Sequence, residues 1–203
     1  GGEISPHNNI ALRLLEEGYE VVRPAYRGTD GYGRDHLYAN RGECGRADVR
    51  DVVECGLDWK KRFNAHDRPL AVSGFSYGGY LTFLALTQPD APWACGVTLW
   101  GCTMIPPLRQ TEGLPQDPQT GAQAKDERSP VKQAHRIRAP LQMLHGARDT
   151  VVTIEELQHI QNRVCASDLA CGLVVFEDDS HAIKIHREEM FQHMFAFLDE
   201  HMA

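Results

Sequence analysis

Ser76 stands in Gly74-Phe75-Ser76-Tyr77-Gly78-Gly79, a G-x-S-x-G run. A serine hydroxyl is a weak nucleophile alone. It attacks a carbonyl only when an imidazole takes its proton and a carboxylate orients that imidazole. When such a serine sits on a turn between a strand and a helix, the acid and then the histidine follow in sequence, each just past a later strand. Asp149 lies four residues after an apolar run ending at His145, and His181 lies four residues after one ending at Glu177. The three suit a nucleophile, an orienting acid and a general base for acyl transfer. The backbone N–H of Tyr77 would open the following helix and face developing negative charge. Glycines are expected at 74 and 78 because Cβ atoms there would collide with neighbouring backbone.

Each residue also has a plainer role. Ser76 could only cap the next helix, and Asp149 could cap one starting near Thr153. Asp178 and Asp179 precede His181 too closely to reach its ring comfortably. The chain holds ten histidines, most of them expected on the surface, and His145, ending a strand, reads as structural. His181 and His186 lack metal-ligand spacing on a helix and no H-E-x-x-H occurs, so no metal is expected. Gly28, Gly31 and Gly33 come without a phosphate-loop lysine, and no G-x-G-x-x-G opens a helix after a strand. No cofactor is implied.

The elements that must position these groups alternate. Helices are predicted over 7–17, 48–62, 77–88, 154–164 and 187–201. Strands are predicted over 19–25, 69–75, 95–100, 141–145 and 173–177, with 26–46 mostly loop. Short strands, apolar on both faces and separated by helices, indicate an α/β fold with a mostly parallel sheet flanked by helices. Residues 1–203 read as one domain. The stretch 102–139 is polar, contains prolines 106, 107, 115, 118 and 130, and breaks the rhythm. It is expected to be an insert over the sheet edge, either a substrate-facing lid or a solvated surface loop.

Composition narrows the partners. With 203 residues, 42% hydrophobic and 24% charged, the chain has a globular balance. Its net charge of −7 argues against nucleic acid as the main partner. No run of about 18 apolar residues predicts a membrane span. The first residues lack the basic and apolar regions of a signal peptide. Six cysteines without a C-x-x-C pair read as reduced thiols of a cytoplasmic protein, although Cys165 and Cys171 could bridge under oxidising conditions. Oligomeric state is left open, a homo-oligomer included.

Four ordered segments resemble the prolyl oligopeptidase family of serine peptidases, its acylaminoacyl-peptidase-like branch especially. Residues 23–34 (RPAYRGTDGYGR) resemble the family's PNYRGSTGYG segment, and GFSYGG resembles its G-x-S-x-G-G turn. Ser129-Pro130 with residues 137–151 (IRAPLQMLHGARDTV) resembles its SP…HG..D..V block, and residues 176–184 (FEDDSHAIK) resemble its DEGH segment. The resemblance implies an α/β-hydrolase fold, serine hydrolase activity and the triad Ser76, Asp149 and His181. It implies a peptide or acyl-peptide substrate. A carboxylesterase or dienelactone-hydrolase-like action on small esters is a second reading, and a non-catalytic remnant used for dimerisation or partner binding a third.

The chain also departs from the family. The H-G-G-P loop, a source of an oxyanion-hole N–H, would fall at the start, where this chain reads Gly1-Gly2-Glu3. A second oxyanion donor from Gly2 is therefore an expectation only, and the early strands of the sheet are expected to be missing from the sequence. Asp179-Ser180 replaces the usual Glu-Gly before His181.

Overall fold

The computed structural model describes residues 6–104 and 118–203. Helix α1 (Pro6–Glu16) stops at Gly18, whose φ of +90° suits glycine. There the N–H groups of Gly18 and Tyr19 turn back onto the carbonyls of Leu15 and Leu14. Then come α2 (Arg34–Tyr38), α3 (Ala47–Arg62), β1 (Ala71–Phe75), α4 (Tyr77–Ala85) and β2 (Cys95–Leu99). The chain continues through α5 (Pro118–Glu127), α6 (Pro130–Gln133) and a 3₁₀ turn over Ala134–Arg136. It finishes with β3 (Leu141–Gly146), α7 (Ile154–Cys165), β4 (Cys171–Phe176) and α8 (Arg187–Met202).

The strands form one parallel sheet in the order β1-β2-β3-β4. Strands laid down in one direction with same-handed crossovers put their connecting helices on one face. The core divides accordingly. Val72, Leu141 and Met143 pack with residues of α3, α4 and α7, such as Val49, Phe83 and Ile160. Cys95, Val97, Leu99, Leu144 and Phe176 face the other way, onto Met190, Phe191, Met194 and Leu198 of α8. Ile10 and Leu14 of α1 close that second layer. All five residues of β2 and all six of β3 are buried, which explains their mainly apolar character, with Thr98, Gln142 and His145 as the buried polar exceptions.

Residues 19–25, expected as a fifth strand, form none. A strand needs a partner along its length, and Pro24 has no N–H to give. The segment is held by side chains instead. The Tyr19 hydroxyl donates to Asp199 on α8 at 2.6 Å, Arg68 pairs with Glu20 at 3.2 Å, and Val22 is exposed. Within 26–46, the short α2 interrupts the expected loop. Arg27 ties this region to α3 through a two-pronged contact with Asp51, at 2.6 and 2.8 Å, and a backbone N–H at 2.8 Å.

The insert at 102–139 is more ordered than a solvated loop where it is described. Residues 105–117 lie outside the described residues. Beyond them, Arg128, Ser129, Pro130, Ala134 and Ile137 are buried. Arg128 donates to the Gly42 carbonyl at 2.9 Å, and its own carbonyl accepts from Tyr80 at 2.8 Å.

Candidate active site

Parallel strands deliver all their carboxyl ends to one edge, and the loops leaving β1, β2, β3 and β4 meet there. The turn after β1 is the tightest. Ser76 takes φ +49° and ψ −116°, an unusual conformation for a residue with a Cβ. It is pinned from three sides: its N–H donates to Leu99 O at 3.0 Å, and its carbonyl accepts from Tyr80 N at 3.1 Å and Cys102 N at 3.2 Å. The Ser76 side chain caps nothing in α4. Its Oγ lies 3.0 Å from His181 Nε2.

Asp149 leaves β3 on a short loop and is fully buried at its side chain. Its Oδ1 accepts from the N–H groups of Val151 at 2.7 Å and Val152 at 3.1 Å. Its Oδ2 lies 2.8 Å from His181 Nδ1. A carboxylate can only accept, so Nδ1 carries the hydrogen, and the neutral ring's Nε2 is left to accept from Ser76. The cap of α7 falls to Thr153, whose hydroxyl accepts from Glu156 N at 3.4 Å.

The expected glycine requirement needs correction at one position. A Cβ on Gly74 would overlap the carbonyl of Gly78, but a Cβ on Gly78 would meet open space. The second constrained glycine is Gly79, where a Cβ would overlap the Cα of Gly101 after β2. The motif's third glycine, not its second, lets α4 approach the next loop.

Tyr77 is the first residue of α4, so its N–H is one of the helix's free donors. Its ring is anchored away from the edge. The hydroxyl donates to Asp48 Oδ2, which also accepts from Asn40 Nδ2 at 3.0 Å, while Val49 N donates to Oδ1 at 2.9 Å. Burial, then the Asp48 charge, pushes the Tyr77 phenol well above its ordinary range. Gly2, the other expected oxyanion donor, lies outside the described residues.

Two neighbours complete the setting. Asp178 pairs with Arg148 on the surface. Asp179, only 2% exposed, accepts from the N–H groups of Lys184 at 2.7 Å, Ile185 at 2.9 Å and His186 at 3.0 Å, and from His186 Nδ1 at 2.9 Å. These bonds close the loop that carries His181, and neither aspartate replaces Asp149. Burial pushes the Cys102 thiol up, while a hydrogen bond with Ser76 draws it the other way, which puts the thiol beside the hydroxyl. In the sequence Cys102 is one of six cysteines and no motif assigns it to the site. Its position just past β2, at the edge where the other strands end, was the available signal.

Among the described residues no cluster of side chains could hold a metal ion, and no helix is long and apolar enough to cross a membrane.

Comparison with known proteins supplies the lineage. Dipeptidyl aminopeptidase BIII of Pseudoxanthomonas mexicana is 33% identical over 83% of this chain and 26% of its own length. The acylamino-acid-releasing enzyme of Sus scrofa is 28% identical over 84% of this chain and 25% of its own. The chain thus spans about a quarter of these curated relatives. A crystal structure of puromycin hydrolase superposes with a TM-score of 0.70 at 27% identity, covering 85% of this chain and 27% of that one. The acylaminoacyl peptidase of Pyrococcus horikoshii shares the fold, with a TM-score of 0.74 at 21% identity over 87% of this chain and 31% of that one. These neighbours are α/β-hydrolase peptidases, and residues 6–203 match the sequence profile of the prolyl oligopeptidase family, to which this chain therefore belongs.

Proposed function

We propose that the chain is the catalytic domain of a serine peptidase that cleaves peptide or acyl-peptide bonds through an acyl-enzyme. The observation that carries this reading is the unbroken run of contacts, Ser76 Oγ to His181 Nε2 at 3.0 Å and His181 Nδ1 to Asp149 Oδ2 at 2.8 Å. Ser76 attacks the substrate carbonyl as His181 accepts its proton. Asp149 holds the imidazole in the Nδ1–H tautomer and stabilises the imidazolium. The Tyr77 N–H donates to the oxyanion, a contribution worth about 10²-fold or more in rate. His181 then protonates the leaving amine, and water, activated by the same ring, hydrolyses the acyl-enzyme. On this reading the start of the 102–139 insert borders the site, since Cys102 lies beside Ser76 and Thr103 donates to Glu156 of α7 at 2.6 Å. The peptidase names of the relatives support amide over ester substrates. The six free thiols support a reducing, cytoplasmic setting.

The test is labelling by a fluorophosphonate probe, followed by turnover of acylaminoacyl and dipeptidyl p-nitroanilides beside p-nitrophenyl acetate. Wild type is expected to label and to cleave the anilides, and Ser76→Ala to do neither. Labelling with ester turnover alone makes the protein an esterase. A folded protein that does not label is a non-catalytic remnant and ends the proposal.

A further inference from the structure

A second imidazole stands behind Asp149. His145, the fifth residue of β3, has a side chain 1% exposed, and that of Asp149 is 0% exposed. Its Nε2 lies 3.0 Å from the carbonyl of Val152 and 3.4 Å from Asp149 Oδ2, the same oxygen that faces His181. Both neighbours of Nε2 are acceptors only, so that nitrogen carries the hydrogen. Nδ1 is buried and has no partner among the described residues. A protonated ring would bury a second, orphaned N–H there, which disfavours the cation. Burial accordingly holds the His145 pKa below the ordinary value.

We infer that His145 is a positioning residue for the reaction, fixing the orientation of the Asp149 carboxylate that faces His181 and sharing its Oδ2 with that ring. The inference rests on the proposed roles of Ser76, Asp149 and His181. His145 acts on the carboxylate by two routes. Directly, the positive edge of its ring at Nε2 lies against Oδ2. Indirectly, it holds Val152 by the carbonyl, and the N–H of Val152 donates to Oδ1 at 3.1 Å. Both oxygens are thus set by one neutral ring, so the carboxylate cannot swing about Cβ–Cγ when His181 becomes charged. The N–H edge also draws electron density from Oδ2, which weakens its hold on the imidazolium. The titratable groups that act on His145 are Asp149 and His181, while Cys102 after β2 lies near Asp149 and Glu156 on α7 lies near Cys102.

The test compares His145→Leu, which fills the space without a donor, with His145→Gln, whose amide N–H reaches the Nε2 position. Three quantities are measured on the intact protein: kcat and KM for the preferred p-nitroanilide, the acid limb of kcat/KM, and the pH titration of the His181 ring by ¹⁵N NMR. His145→Leu is expected to lower kcat roughly 10- to 100-fold, the range for residues that orient a working group. KM should change little, and the acid limb and the NMR titration should both move to higher pH. His145→Gln should recover most of the lost rate and return the titration toward wild type. An unmoved titration in His145→Leu, or a Gln variant indistinguishable from Leu, overturns the inference, because a ring that only fills space predicts both. Should the Leu variant fail to fold, His145→Asn, whose shorter amide does not reach Val152 O, takes its place against Gln with the same two outcomes. The NMR titration needs no turnover. A protein that neither labels nor hydrolyses therefore removes the proposed function, while the coupling of His145 to His181 is still read.

Discussion

Gly74 and Gly78 face each other across the turn that carries Ser76, and their contact is one-sided: a Cβ on Gly74 would overlap the Gly78 carbonyl, whereas a Cβ on Gly78 would enter open space. Two glycines of one motif should therefore respond differently to alanine. Gly74→Ala must force α4 away from β1, and overpacking of this kind costs about 1–3 kcal/mol or more. It should also displace Ser76 and abolish labelling by fluorophosphonate. Gly78→Ala lies inside α4, where alanine is favoured over glycine by about 1 kcal/mol, so it should fold at least as stably as wild type. Urea denaturation of both variants checks this, and equal stabilities would refute it.

Strain at the nucleophile predicts a second contrast. Ser76 at φ +49° holds a conformation that costs a Cβ-bearing residue about 1–3 kcal/mol. Trp100 and Ala182, at φ +39° and +95°, repeat the feature after β2 and β4. Ser76→Ala removes the hydroxyl but keeps the strain, whereas Ser76→Gly removes both. Both should lose turnover by at least about 10³-fold. The glycine variant should have the higher melting temperature, a result that differential scanning calorimetry would confirm or deny.

Asp179 predicts a pH dependence. Burial alone would raise its pKa, but the N–H groups of Ile185 and Lys184 and the His186 contacts outweigh it and hold the carboxyl down at about 2. A carboxyl depressed on folding adds stability above its unfolded pKa, about 3.9, and loses it as the pH falls toward the folded value. Stability should therefore decline between about pH 5 and pH 2, and Asp179→Asn should flatten that slope. At neutral pH the same variant should speed hydrogen exchange at the amides of Lys184, Ile185 and His186. An unchanged slope with unchanged exchange would show that the loop is held by something else.

The anchor of Tyr77 can be tested by removing one oxygen. Tyr77→Phe takes a donor from Asp48, whose side chain stays buried with Asn40 Nδ2 and Val49 N. A buried acceptor deprived of its partner costs about 1–3 kcal/mol. The midpoint of chemical denaturation should drop accordingly. Phe at 77 leaves the backbone N–H in place, so the rate should fall far less than in Ser76→Ala.

Much of this was legible in sequence because it is local. β2 and β3 are buried throughout and β1 and β4 are mostly half-buried, so their apolar runs stand out, and loops after parallel strands share an edge whatever the rest of the chain does. That is why Ser76, Asp149 and His181 could be named from their positions after strands. What was hidden depends on partners far along the chain. Residues 19–25 have a strand's composition but no strand to pair with among the described residues, a long-range fact. The difference between Gly78 and Gly79 arises from Gly101, which approaches from another loop. Asp48 reads as one acidic residue among many until Tyr77, 29 positions on, donates to it. Asp179 looked like a near neighbour of His181, and its role appears only once the chain folds back to give it three backbone N–H groups.

The parallel sheet has a second consequence, at its opposite end. The connections entering the strands, such as residues 166–170 between α7 and β4, lie a full strand length from Ser76, and Ala166, Ser167 and Asp168 are exposed. Reporter groups or affinity handles grafted there would be insulated from the chemistry by the sheet itself, which makes that rim the natural place to engineer the molecule.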